Sequence, residues 1–475
     1  MDSLSIRNVQ GLQYADQIKL DNLIRIFNSH IAANKKKNRY YEGHVSLKEV
    51  NLGIALPENI SKLEIGCEWG AKTVDVLASR SMFDGFVGSD GNTADFMTKI
   101  AKDNRLVAEY MKFSKDQLKY GCTFATLSHD DAIGCKIRFH SPETAAAKWS
   151  GEKGRIDYGF AIIDTCEDNE DKSWKPSIIN MYTDYYVIVI RRDAAGVWSA
   201  EYFDNPMGRP LMEPFIWNAT SSKPFGRSRI KYTVRNLIEG YIRTIANATL
   251  GLEFSTTPQK FLLGISDEQY DAMINQKFKQ YVGNILTATT NPETGENPVF
   301  GQLPQGNIQP HIEMMRLLAT QYSAATGLTV TDTGVVTEAN PTSADAILAQ
   351  SQTLISLAEQ LNTVNGDALQ MVARMAQAIA KGCRLEDLSD EENNVIAHFK
   401  NPAMPSVGVT ADAAIKIASA RSEFAQTDIF LEMVGFDQAD VRRIKAQEQR
   451  ARGQKILELE FEDADQSEDM AEVQE

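Results

Sequence analysis

Six histidines, five cysteines and 64 acidic residues are the raw material for catalysis or metal binding in this 475-residue chain. Their spacing does not assemble them. His30, His44, His129, His140, His311 and His398 are scattered, and no pair has the separation of metal ligands. His129-Asp-Asp131 carries the right atoms for a cation, but a polar turn is by far the stronger reading. Cys67, Cys122, Cys135, Cys166 and Cys383 form no CxxC pair and are odd in number, which argues for buried free thiols over a zinc site or a disulfide framework. There is no GxxxxGK[ST] loop, no GxGxxG after a strand, no HExxH and no GxSxG. Asn218-Ala-Thr220 and Asn247-Ala-Thr249 match a glycosylation pattern that a cytoplasmic protein would not use. The expectation is a structural or interaction protein, not an enzyme, with no metal and no cofactor.

Hydrophobic residues make up 43% of the chain and charged residues 24%, an ordinary globular balance. At about 100–200 residues per domain the length allows two to four units. No apolar run reaches the roughly 18–20 residues of a membrane span, and Met1–Tyr14 has no stretch of signal-peptide length, so synthesis in the cytoplasm is expected. The net charge is −15. Nine acids and no bases lie between Ile456 and Glu475, directly after six bases (Arg442, Arg443, Lys445, Arg450, Arg452, Lys455) in Val441–Lys455. A protein that grips duplex tightly shows a basic surface overall. This one does not, so any handling of DNA should be weak and blind to sequence.

Periodicity places the elements. Helical spacing covers Asp16–Ala33 (Leu20, Leu23, Ile24, Phe27), with the run Asn34–Arg39 expected to interrupt it, then about Glu68–Ser81 and about Thr93–Leu118. From Gly121 the pattern turns to short β-rich runs, Cys122–Leu127, Cys135–His140, Phe160–Asp164, Met181–Ile190 and Val197–Phe203, which predict an irregular, partly exposed sheet. A long helix is expected from Ser228 as N-cap, with the stripe Ile230, Val234, Leu237, Tyr241, Ile245, Ala248 and Leu252. Ser255–Gly306 breaks the helical pattern. There Ile285–Thr290 and Val299–Gln302 flank the turn-rich Asn291–Asn297 and predict a hairpin. Pro310 suits the first turn of the next helix and Gly327 its end. After the loop Leu328–Pro341, with Thr342 or Ser343 as cap, a helix is predicted over Ala344–Lys381, roughly 55 Å long at helical rise, with Gly366 as a point of bending. Its polar face is Gln, Asn, Ser and Thr with few charges, which predicts burial against neighbours, either within the chain or across subunits. From about Asp412 the chain is helical and polar, ending in an acidic tail read as disordered.

The order of these segments resembles the portal proteins of long-tailed bacteriophages. The resemblance is carried by Arg39-Tyr-Tyr-Glu-Gly43, Trp69–Arg80 with Phe83-Asp-Gly-Phe86, Asn104-Arg-Leu106, Lys119-Tyr-Gly121, Pro224–Ile230, Leu252-Glu-Phe254, Pro258–Gly264, Ala324–Gly327, Asn340–Ile347 and Gly435-Phe436. The long charge-poor helix departs from it, since relatives often carry more Lys, Arg and Glu there. The resemblance implies an α+β portal fold. It has an α/β wing (1–227), a stem helix (228–254), a β-containing clip (255–306), a second stem helix (307–327), a tunnel loop (328–342), a long channel-to-wing helix with the rest of the wing (343–411), and a crown with the acidic tail (412–475).

It further implies a homo-oligomeric ring, typically of twelve subunits, at one capsid vertex, through which double-stranded DNA passes non-specifically during packaging and ejection. The implied partners are the terminase large subunit, the head-tail adaptor, and the major capsid and scaffolding proteins, with no membrane. The implied location is the virion, and the host cytoplasm during assembly. Thr329, Asp332, Thr333, Gly334, Val335, Val336, Thr337 and Glu338 are the expected loop facing DNA, and Asn291, Pro292, Glu293, Thr294, Gly295 and Glu296 the expected docking tip of the clip. The physics agrees. Duplex carries one charge per about 1.7 Å, so a strongly basic lining would bind it and stall movement, whereas this loop is small, Gly-hinged and free of Lys and Arg. A minor capsid or scaffold-associated protein without a channel would lack the helix–insertion–helix order of Ser228–Thr326. A carboxylate-based nuclease would need an acidic cluster that is not visible.

Overall fold

The computed structural model describes residues 3–45, 65–88, 95–167, 174–256, 260–268, 290, 295, 297–302, 307–335, 344–403, 407–436, 440–441 and 443–454. Helix α1 (Tyr14–Tyr41) is followed by α2 (Trp69–Arg80), strand β1 (Phe83–Val87), α3 (Asp95–Asp103) and α4 (Leu106–Tyr120). Then come β2 (Cys122–Asp130), β3 (Gly134–His140), β4 (Ala145–Ser150), β5 (Arg155–Glu167), β6 (Trp174–Tyr182), β7 (Tyr186–Arg192), β8 (Trp198–Asp204) and β9 (Met212–Ile216). Helix α5 (Tyr232–Thr256), strands β10 (Lys260–Leu263) and β11 (Val299–Gln302), α6 (Gln309–Thr326) and α7 (Ala344–Lys381) follow, then α8 (Asp390–Asn393), β12 (Ile396–Phe399), α9 (Val407–Ala420) and α10 (Asp428–Val434). This is the expected α+β mixture.

The chain divides into two units: residues 1–79, 112–128 and 137–357, and residues 80–111, 129–136 and 358–475. In the first, β4-β5-β6-β7-β8 form an antiparallel meander. One face of it, with Phe160, Ile162, Ile179, Met181, Ile188 and Ile190, packs on Leu20, Leu23, Ile24 and Phe27 of α1. Alternation along each strand delivers that face. Register shifts in β4–β5 and β5–β6 supply the expected irregularity. The apolar run Met181–Ile190 is two strands, because Thr183 and Tyr186 bond each other across the Asp184-Tyr185 turn.

Helix α1 does not stop at Asn34. The run Asn34–Arg39 stays helical because its polar groups have partners distant in sequence: Asn34 donates to the Pro142 carbonyl at 3.4 Å, Lys37 to the Tyr120 carbonyl at 3.0 Å, and Asn38 accepts from Lys119 at 3.1 Å. Burial and the nearby Arg235 push the Lys37 pKa down from its ordinary value, against a smaller opposing pull from Cys122. Gly70 lets the start of α2 meet the end of α1, since a Cβ there would sit 1.9 Å from the Tyr40 carbonyl oxygen.

In the second unit α3 and α4 are separate, so the helix expected over Thr93–Leu118 is broken. Arg105 adopts φ 51°, and the buried Asn104 side chain bonds the Ile100 and Cys135 carbonyls. Strands β1 and β12 pair antiparallel, and Phe83, Phe86, Phe399 and Tyr110 form an aromatic cluster. The Tyr110 hydroxyl meets Ser81 at 2.6 Å and accepts from Asn365 of α7 at 2.8 Å. Helix α7 has the predicted bounds and runs unbroken through Gly366. From Ala358 onward its polar residues are buried as its charge-poor composition predicts: Asn365 and Gln377 are inaccessible, and Gln377 donates to the Glu392 carbonyl.

His140, on β3 in the first unit, is buried against Thr126 at 3.0 Å. Burial, with Arg138 nearby, pushes its pKa down to about 4 from 6.5. Between those values the unfolded chain binds a proton that the folded chain refuses. Stability from this group is therefore complete above about pH 6.5 and falls toward pH 4, by up to about 3 kcal/mol. Thermal melts of His140→Gln beside wild type should show their separation shifting in favour of the variant as pH drops from 7 to 4.5. A pH-independent separation would contradict the assignment.

Candidate functional site

The expected stem and tunnel-loop segments meet at one aromatic stack in the first unit. Trp69, at the start of α2, lies between Tyr241 of α5 (ring centroids 4.2 Å apart, 28° between planes) and Tyr322 of α6 (4.6 Å, 27°). Its indole N–H donates to the Thr333 carbonyl at 3.1 Å. The Tyr322 hydroxyl donates to the Trp69 carbonyl at 2.6 Å and meets the Thr73 hydroxyl at 2.7 Å. Burial raises the Tyr322 pKa, so it stays a neutral donor.

Arg229 is the cation of this site. It is buried, its Nε donates to the Thr73 carbonyl and its Nη2 to the Thr326 carbonyl, both at 2.7 Å. One guanidinium thus bridges a carbonyl within α2, which can accept a second bond, and the carbonyl of the last residue of α6. Desolvation pulls its pKa down to about 10, which still leaves it charged at neutral pH. Trp217 lies 5.8 Å from it ring-on. Tyr40 of α1 donates to Glu239 of α5, adding a tie to the same helix.

Helix α5 begins at Tyr232, four residues past the expected N-cap. Ser228 is occupied elsewhere: its hydroxyl donates to the Lys119 carbonyl and accepts from the Ile230 N–H. A buried stripe runs along α5 through Val234, Ile238, Ile242 and Ala246 at steps of four, and α5 packs on α6, whose buried residues include Leu318, Ala319 and Tyr322. Leu237 and Ile245 are half-buried beside it and Leu252 is exposed. Helix α6 carries proline in its first turn and ends at Gly327 with φ 74°.

Of the expected loop residues, Thr329, Asp332, Thr333, Gly334 and Val335 are described, and Val336, Thr337 and Glu338 lie outside the described residues, as do the expected caps Thr342 and Ser343. The described half is fastened. Asp332 accepts from the Thr329 N–H and hydroxyl at 2.9 and 2.8 Å, Thr333 donates to the Val330 carbonyl, and Leu328 is buried. Gly334, at φ 76°, ends this short 3-10 turn. Of the expected clip tip only Gly295 is described, and Asn291, Pro292, Glu293, Thr294 and Glu296 lie outside the described residues. In the expected clip, Val299–Gln302 pairs antiparallel with Lys260–Leu263. The expected partner, Ile285–Thr290, is described only at Thr290, outside any strand. Phe261–Leu263 offered the same β-prone composition, and turn chemistry at Asn291–Asn297 favoured the nearer pairing. The structure joins loop and stem, and the anchoring residues Trp69, Tyr241, Arg229 and Tyr322 were not expected at a site.

Comparison with known proteins decides the family. The family model described as phage portal protein, SPP1 Gp6-like, matches residues 20–454. The chain belongs to the phage portal protein family. Among curated relatives, the portal protein of Mycobacterium phage L5 is 25% identical over 380 residues, covering 77% of this chain and 75% of that protein. That of Mycobacterium phage D29 is 24% identical over 414 residues, covering 84% and 82%. A chain from the neck of an empty gene transfer agent particle aligns over 80% of this chain and 95% of its own length at a TM-score of 0.46 and 10% identity. The portal-family match spans both units, including every described residue of the Trp69 anchor.

Arg229→Gln leaves two buried carbonyls without a charged donor and should cost about 3 kcal/mol or more, read as a fall in denaturation midpoint. Trp69→Phe keeps a stacking ring but loses the bond to Thr333. It should cost about 1 kcal/mol and speed amide exchange at Thr333–Val335 selectively. Unchanged exchange there would show that the indole does not hold the loop.

Proposed function

We propose that this chain closes with copies of itself into a portal ring at a single capsid vertex, lining the channel for genome packaging and ejection. The match to the portal family along residues 20–454 carries the reading. The surface of a single chain supports it. Leu252 of α5, Met314 and Leu317 of α6, and Phe261, Leu263, Val299 and Phe300 of the two-stranded clip ribbon are exposed, Leu263 at 60% and Val299 at 61%. Exposed apolar side chains on these elements suit contact with another copy of the chain. A ribbon of two four-residue strands is also marginal alone, so contact with another copy would stabilise it.

In this reading 1–227 and 343–411 are wing, 228–254 and 307–327 stem, 255–306 clip, 328–342 tunnel loop and 412–475 crown. Thr329, Asp332–Val335 and the following Val336, Thr337 and Glu338 face DNA, with Trp69 and Arg229 fixing the root of the loop. Asn291–Glu296 is the docking tip for the terminase large subunit and later the head-tail adaptor, while wing and crown meet capsid and scaffolding proteins. The role is structural, without catalysis or cofactor. The protein resides in the virion, after assembly in the host cytoplasm.

Mass photometry of the purified chain should give a closed assembly near twelve times 52.8 kDa. Monomers across all salt conditions would overturn the ring.

A further inference from the structure

The charge run at the end of the described chain is not used by the reading above. Residues 443–454 are helical, and all but Ile444 are exposed. Arg443 pairs with Asp440 at 3.3 Å and Lys445 with Asp428 of α10, which fix the start of this helix. Arg450 and Arg452 stand exposed near its other end. Glu448 is the one acid among residues 441–455, against six bases. Immediately beyond, residues 456–475 hold nine acids (Glu458, Glu460, Glu462, Asp463, Asp465, Glu468, Asp469, Glu472, Glu475) and no base.

We propose that the acidic segment 456–475 occupies the basic helix at 443–454 and keeps it from binding duplex DNA. Charge complementarity selects this occupant. The segment brings roughly one negative charge for every two residues, the polyanion character that makes duplex a ligand for exposed Arg and Lys. Reach is not limiting. A helix of the 12 residues 443–454 is about 18 Å long, whereas 20 residues can span up to about 70 Å. Covalent attachment holds the segment near its target at an effective concentration of about millimolar, so it competes with DNA even though each ion pair is weak. The arrangement fits a protein that must pass DNA without retaining it, because this basic element is neutralised until a higher local density of phosphate displaces the tether. The proposal extends the reading of the chain as a portal subunit, but its readout is DNA affinity and not assembly mass, so each can fail alone.

The test is fluorescence anisotropy with a labelled short duplex, comparing the full chain with one shortened to end at Lys455. The shortened chain should bind about tenfold or more tightly at low salt, with the gap closing as salt rises, and two duplexes of unrelated sequence should bind alike. Adding Arg443→Gln, Arg450→Gln and Arg452→Gln to the shortened chain should abolish the gain. No gain on shortening would overturn the proposal, and so would a gain that survives the three substitutions, since that would reflect overall charge and not this helix.

Discussion

The indole of Trp69 is the point at which the first unit is tied together. Two tyrosine rings close on its faces, its N–H holds the Thr333 carbonyl, and its own carbonyl accepts from Tyr322. Beside it the buried Arg229 joins the interior of α2, at Thr73, to the end of α6, at Thr326. A charge taken out of water must be repaid by hydrogen bonds, or burial becomes strongly destabilising. Two backbone carbonyls and a neighbouring aromatic face meet that requirement here. Because the partners come from α2, α5, α6 and the loop, none of these elements can shift without leaving buried polar groups unmet. The root of the loop, as far as Thr333, is therefore set by the helices.

This constraint bears on the functional reading. A gate needs a lining whose position is inherited from a rigid frame, and it needs that lining not to bind what passes. The described loop residues are Thr, Asp, Gly and Val, fastened by a local Thr329–Asp332 bracket. Bases in the C-terminal part are concentrated instead on the helix at 443–454, next to the strongest acidic run in the chain. Keeping fixed geometry and net repulsion in different segments lets each be satisfied independently.

Much of the architecture was legible in the residues themselves. Helix α7 was readable to its ends because its apolar spacing is long and regular and its polar face is too poor in charge for solvent. Gly327 and Pro310 marked α6 by their backbone preferences. What was not legible depends on contacts distant in sequence. Asn34–Arg39 looked like a break until Pro142 and Tyr120 supplied carbonyls for its side chains. Asn104 looked like an interior helix residue until Cys135 offered a competing acceptor. Val299–Gln302 took Lys260–Leu263, at the far end of the same insertion, as its partner although the stronger turn signal lay beside it. The anchor was hidden for the same reason. Trp69, Arg229, Tyr241 and Tyr322 are far apart in the chain, and an arginine beside apolar residues has no periodic signature of burial.

The account stands on copies of this chain closing around a hole whose wall is the α5–α6 stem and the Thr329–Val335 loop. Cryo-electron microscopy of the purified assembly viewed down its axis tests that directly. The account predicts a closed ring of countable subunits, with α5 and α6 packed on neighbouring copies and the loop after Thr333 nearest the axis. Rings with this loop on the outer rim, or assemblies without a central opening, would contradict it.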